Sequence, residues 1–554
     1  MLALVLGAVL AATTVTRVGV VGEVAASWAL DAPPVVVVDW KGPLLADYDQ
    51  GLFRASLVRP LERLQVGGFS LPLAVNSYTG GPPDWPARAV YAATASTAAV
   101  TTLHVALGGL LLVLLHRFLR FHGTEGSGGI AALILATDWG FVFYRKVLGG
   151  TELLLMAAAL LVLWAFWSRR WAGGRLGSPA IAAGIGLGLL AKATFGVTLV
   201  AFGLTALLTR RDKPAGLKGP RPMPLWKMAG VVLLLTSPLW ISALDHLGAP
   251  ASFPSHDFLG LQVERLVQGL ERLASGERAP SRETGETLLW FLGNPLPWFE
   301  AAYGGEAAGG LSSLRLIGWG LGLGGSLLEW RRPRADRAGA LLRFVSLYAP
   351  LQVLLLWLAN RDLHHLAQAS PTIAIWFALS VNRLAQERLN IRSWGRAGLA
   401  LGLSLPWMLA GSLQLWRTDT VLDTLRAPSF TERGQAELIE GLRSHGVERL
   451  YACDYELYGM VEVRAPELSV THAWANAASR PGDRSGALED LLEHAAGGHY
   501  LWLRPSAPMI YNLSPSDRKL EAAASAAGVE LTERFSLEDR EGPWARLYEV
   551  RRAD

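Results

Sequence analysis

Long apolar runs broken by short polar stretches fill residues 1–417. The runs Leu153–Trp167, Met228–Leu247 and Leu401–Trp416 come near the roughly 20 apolar residues that a helix needs to cross hydrocarbon. Leu2–Val21 reads as a retained first span despite Arg17, because it lacks a basic leading segment and a clear small-residue cleavage site. Pro179–Thr209 is also apolar, yet a single helix of about 31 residues would be roughly 46 Å long, well beyond a core of about 30 Å.

The basic residues resolve that excess. They gather at Arg117/Arg120, Arg169/Arg170/Arg175, Arg210–Lys227, Arg331–Arg337 and Arg383–Arg396, and loops rich in Lys and Arg stay on the cytoplasmic side. Pro179–Thr209 has basic loops at both ends, so it predicts two short passes with an apex near Lys192-Ala193-Thr194-Phe195-Gly196. At that apex Lys192 escapes the cost of about 2.5–3.5 kcal/mol that a lysine carries at mid-membrane. The pattern predicts about eleven spans, with the amino terminus cytoplasmic and the carboxyl terminus outside.

After Trp416 the pattern changes. Amphipathic helical periodicity at Thr431–Ser444, Gly486–Ala496 and Asp517–Ala527 alternates with strand-like Arg449–Ala452, Tyr500–Leu503, Leu531–Phe535 and Ala545–Val550. The expected organisation is a transmembrane domain at residues 1–417, with a first outer loop at 31–92, and an extracytoplasmic α/β domain at 418–554. The tail contains no glycine-rich phosphate loop, and the chain shows no internal repeat of the kind that marks many transporters.

Composition supports this reading. Of 554 residues 51% are hydrophobic and only 18% charged, which excludes an ordinary soluble protein. The net charge of +4 is confined to loops and forms no nucleic-acid-binding face. The single cysteine, Cys453, excludes an intrachain disulfide and a cysteine-based metal site.

The polar residues assigned to the outer side are the candidates for chemistry: Asp47, Asp49, Asn76, Tyr78, Arg145, Glu152, Lys192, His256, Asp257, His364 and His365. A carboxylate there can serve as general base toward an acceptor hydroxyl or amine. Arg and Lys can hold an anionic phosphate and stabilise the charge that develops as it leaves. Each also has a structural reading, as a solvated loop carboxylate or a cation anchoring a helix end. His256-Asp257 is a weak candidate for a divalent metal, because no ligand at a suitable spacing accompanies it.

Residues 1–417 resemble the GT-C membrane glycosyltransferases, in the branch of the protein O-mannosyltransferases and lipid A aminoarabinose transferases. The features that carry the resemblance are Asp49-Gln50-Gly51 in the first outer loop, Asn76-Ser77-Tyr78-Thr79-Gly80 later in that loop, and Phe143-Tyr144-Arg145 before a span entering at Glu152. Gly188-Leu189-Leu190-Ala191-Lys192 and His364-His365 before Pro371 complete it. The family's acidic motif is usually Asp-Glu, and Gln50 departs from it. The resemblance implies transfer of a sugar from a polyprenyl-phosphate carrier to a glycan, lipid or protein acceptor at the outer face of a bacterial inner membrane. It implies Asp49 as base, with Asp47 the alternative, Arg145 and Lys192 on the donor phosphate, and His364 or His365 against donor or acceptor. A transporter or flippase of a lipid-linked saccharide would use the same cations without breaking a bond.

Overall fold

The computed structural model describes residues 63–66, 69–72, 74–76, 79–94, 97–124, 126–142, 150–172, 177–192, 194–210, 223–245, 312–333, 336–360, 366–388, 393–423, 432–452, 465, 467–472, 487–504, 516–539 and 542–553. Two short antiparallel hairpins come first: β1 (Arg63–Val66) with β2 (Phe69–Pro72), and β3 (Ala74–Asn76) with β4 (Thr79–Gly80). A 3-10 turn, Pro82–Asp84, leads into α1 (Trp85–Thr94) and α2 (Thr97–His122).

The helical body continues with α3 (Ser127–Ala136), α4 (Gly150–Ala172), α5 (Gly177–Ala191), α6 (Phe195–Leu208) and α7 (Leu225–Asp245). It is completed by α8 (Ser312–Trp330), α9 (Arg337–Asn360), a second 3-10 turn at Ala367–Ala369, α10 (Ser370–Arg388) and α11 (Ser393–Asp423). Among the described residues, 4 helical stretches are long and apolar enough to span a membrane: Thr102–His122, Gly150–Trp171, Arg337–Leu358 and Gly395–Trp416. The division into two expected over Pro179–Thr209 is present as the apolar helices α5 and α6, 15 and 14 residues long, with Lys192 and Thr194 between them.

α10 is the hub of the bundle, packed against α3, α8, α9 and α11. Its Ile373, Trp376, Phe377 and Val381 are buried with Trp407 and Phe344 in one continuous core. Outer faces stay apolar and exposed, as at Leu233 and Leu234 of α7 and Leu323 and Leu327 of α8. An apolar face of this kind suits a helix that meets lipid rather than water.

The helix ends sort into two polar layers. At one end the basic groups meet: His122 contacts Ser168 and Arg337, Arg169 donates to Ser178, and Arg170 donates to the Thr209 carbonyl. In the same layer Arg383 pairs with Glu329 at 2.9 Å, and Arg332 with Glu387 at 3.0 Å. The alternation of helix directions that the arginines imply is therefore realised in side-chain contacts.

The tail forms a five-stranded sheet in the order β6-β5-β7-β9-β8. Its strands are β5 (Arg449–Ala452), β6 (Ser469–His472), β7 (His499–Leu503), β8 (Val529–Asp539) and β9 (Gly542–Arg552). β5 is parallel to β6 and β7, and the other pairings are antiparallel. Alternation along β7 sends Leu501 and Leu503 to a core shared with α12 (Glu432–Ser444). Tyr500 and Trp502 face the opposite core, with α13 (Ala487–His494) and α14 (Asp517–Ala526). The helices and strands expected there are all present, and β6 adds to them. α11 continues past Trp416 to Asp423.

Candidate functional site

The second polar layer lies at the bundle end opposite the basic one. It begins where α4 starts and α5 stops. Lys192 Nζ lies 3.6 Å from Glu152 Oε1, and both side chains are almost wholly buried. Glu152 occupies the first turn of α4, whose amino-terminal dipole favours an anion, and Lys192 follows the last residue of α5, where the dipole favours a cation. Two residues singled out in the sequence are thus brought together, with Lys192 held inside rather than at an open apex.

Asp84 reaches the start of α4 from the segment that precedes α1. Its 3-10 turn packs against α4, α5 and α1. The Gly150 backbone N–H donates to the Asp84 carboxyl, while burial pushes that carboxyl up to about 8. Among the described residues its Oδ2 has no hydrogen-bond partner. The approach is close enough to need glycine: a β-carbon at Gly150 would sit 2.5 Å from the Pro83 carbonyl oxygen.

From Lys192 the layer runs on across the bundle. Gln368 Nε2 donates to Thr194 Oγ1 at 3.2 Å, and Ser370 Oγ donates to Asp138 Oδ1 at 2.7 Å. Arg315 donates from Nη2 to Asp138 Oδ2 at 3.1 Å and from Nη1 to Gln414 Oε1 at 3.0 Å. The Arg315 guanidinium stacks 4.8 Å above the Trp407 ring. A buried ion pair needs its remaining donors and acceptors supplied. The Ser370 hydroxyl and the Phe141 N–H do so for Asp138, and the Gln414 amide for one nitrogen of Arg315, whose Nε has no hydrogen-bond partner among the described residues.

Asn76 lies in β3, opposite Thr79 of β4, and β3 packs against α7. Asp47, Asp49, Tyr78, Arg145, His256, Asp257, His364 and His365 lie outside the described residues. No group of three His, Cys, Asp or Glu side chains suited to a metal occurs among the described residues.

Asp84, Asp138 and Arg315 did not stand out in the sequence. A signal for the last two exists: each is a lone charge bordering an apolar segment, and such a charge needs an internal partner. Asp84 carries a weaker signal, since an acid after two prolines in a loop reads as solvated.

No protein-family model and no curated protein matches the sequence. The structure is similar to that of ArnT from Cupriavidus metallidurans bound to undecaprenyl phosphate. The TM-score is 0.51 and the identity 11%, over 91% of this chain and 93% of that one. The chain has the GT-C fold. The Archaeoglobus fulgidus oligosaccharyltransferase in complex with Zn and sulfate matches at TM-score 0.48 and 12% identity, over 100% of this chain and 73% of that one. The same enzyme tethered to an acceptor peptide gives 0.46 and 14%, over 96% and 68%. The resemblance read from the sequence is therefore found again at the level of the GT-C fold, whose buried polar layer here joins α4, α5, α8, α10 and α11.

Proposed function

We propose that the protein is a membrane glycosyltransferase that moves a sugar from a polyprenyl-phosphate carrier to an acceptor outside the cytoplasm. The observation that carries this reading is the buried Glu152–Lys192 pair at the bundle end opposite the basic layer. An ammonium has three donors, so Lys192 can keep its pairing to Glu152 and still bind an anionic phosphate. The fold likeness to ArnT, whose structure holds undecaprenyl phosphate, is consistent with such a donor.

In the proposed step the acceptor loses a proton to Asp49, or to Asp47 in its place, as its oxygen or nitrogen forms a bond to the anomeric carbon. The bond between that carbon and the phosphate oxygen breaks with inversion. The carrier phosphate departs with the electron pair, held by Arg145 and Lys192. His364 or His365 contacts donor or acceptor, and residues 418–554 form a separate domain on the same side as the site. The membrane is the inner membrane of a bacterium.

A donor labelled in both sugar and carrier, reconstituted with the protein in liposomes, tests the reading. Transfer separates the two labels, and Asp49→Asn abolishes that separation without lowering the amount of folded protein. Passage of both labels together across the bilayer would make the protein a flippase instead, and unchanged transfer by Asp49→Asn would remove Asp49 from the step. Each donor is assayed with and without a divalent cation.

A further inference from the structure

Asp84 is built into the fold in a way that the transfer step does not explain. It is a carboxyl with almost no access to water, at the end of the outer-loop segment made by the two hairpins and the Pro82–Asp84 turn. Of its oxygens, one side accepts the Gly150 N–H, and Oδ2 has no hydrogen-bond partner among the described residues. A carboxylate needs its lone pairs filled when buried. A carboxylic acid is far cheaper to hold there.

The segment that ends at Asp84 reaches the site from several directions. β4 packs on α5 and α7, β3 on α7, and the Pro82–Asp84 turn on α4 and α5, beside the ends that carry Glu152 and Lys192. Gly150 is the contact point, and Glu152 follows it within the first turn of α4.

We propose that Asp84 is a positioning residue: as the neutral acid it docks the outer-loop segment onto the start of α4 and so fixes that segment against the Glu152–Lys192 pair. Ionisation would leave a buried carboxylate with Oδ2 unfilled and drive the segment off. The titratable groups on the packed elements are Glu152 in the first turn of α4, with Arg169 and Arg170 in its last turn, Lys192 after α5, and Arg88 and Tyr91 on α1; β2 carries none. Burial raises the Asp84 carboxyl and the Gly150 N–H lowers it by less, so burial decides for the neutral form.

The kinetic arm of the test rests on the transferase reading, and a second arm does not. Hydrogen exchange of residues 79–94 is followed in the full-length wild type, Asp84→Asn and Asp84→Ala from pH 6 to 9.5, corrected for intrinsic exchange. The wild type is expected to lose protection there above about pH 8. Asp84→Asn, which keeps an acceptor for Gly150 and cannot ionise, stays protected throughout, and Asp84→Ala is unprotected at every pH. In turnover with a polyprenyl-phosphate sugar, Asp84→Ala lowers kcat by about tenfold to a hundredfold, the scale of a misplaced active-site element. Asp84→Asn restores most of that loss and abolishes the alkaline decline of the wild type. Wild-type protection and kcat in Asp84→Ala, or an unchanged alkaline transition in Asp84→Asn, would overturn the proposal. If no donor turns over, the exchange arm alone decides it, and the transferase reading fails separately.

Discussion

Glu152 and Lys192 face each other at 3.6 Å across the α4–α5 hairpin, each at the helix end whose dipole favours its charge. Breaking one side of a buried pair leaves the other charge uncompensated, at a cost of about 3–5 kcal/mol. Glu152→Gln and Lys192→Met should therefore each lower the unfolding midpoint of the detergent-solubilised protein. The double variant should recover most of the loss, because it removes both charges, yet stay inactive. A double variant no more stable than the singles would show that the pair is not an energetic unit.

Asp84 supplies a pH signature of its own. Its carboxyl is raised from 3.8 to about 8 in the folded chain, so the native state binds the proton more tightly than the unfolded one. The sign follows: the wild type loses stability as pH rises from about 4 to about 8, by at most about 1.4 kcal/mol per pH unit, and levels off above that. Asp84→Asn has no such titration. Its unfolding midpoint should gain on the wild type steadily across that window and hold a constant lead above it. A difference independent of pH would mean that Asp84 is ionised in the folded protein at neutral pH.

Asp138 and Arg315 tie α3, α8, α10 and α11 together through Ser370 and Gln414. Asp138→Asn should cost about 3–5 kcal/mol, since it strips the charge partner from a buried guanidinium. A double-mutant cycle with Arg315→Met should return a coupling of about 0.5–3 kcal/mol. Additive losses would mean that Arg315 is held by Gln414 and Trp407 alone.

Two glycines near the site should respond in opposite directions. In Gly150→Ala the added methyl meets the Pro83 carbonyl, so the turn must move and about 1–3 kcal/mol should be lost. At Gly196, in the first turn of α6, nothing lies within 4 Å of the added carbon, and Ala should stabilise by up to about 1 kcal/mol. Unfolding midpoints of the two variants check both signs.

The break at Lys192 was legible because basic flanks at both ends of an overlong apolar run leave an even number of passes as the economical solution. The tail was legible for another reason: in a water-facing domain, periods of 3.6 and 2 survive in the hydrophobic pattern, and α12 and β7 follow them. β6 escaped because its 4 residues carry too little alternation. Glu152 and Lys192 could be singled out, but their pairing could not, since it depends on how α4 and α5 align. Asp84 escaped because its burial is created by the Gly150 contact, which no local pattern encodes.

Release of free polyprenyl phosphate, measured with purified protein in liposomes and a panel of polyprenyl-phosphate sugars, bears most directly on the transferase reading. The wild type should release the carrier from at least one donor, and Glu152→Gln/Lys192→Met should release it at least about a hundredfold more slowly while remaining folded at the assay temperature. Intact donors throughout the panel, or equal release by the double variant, would contradict it.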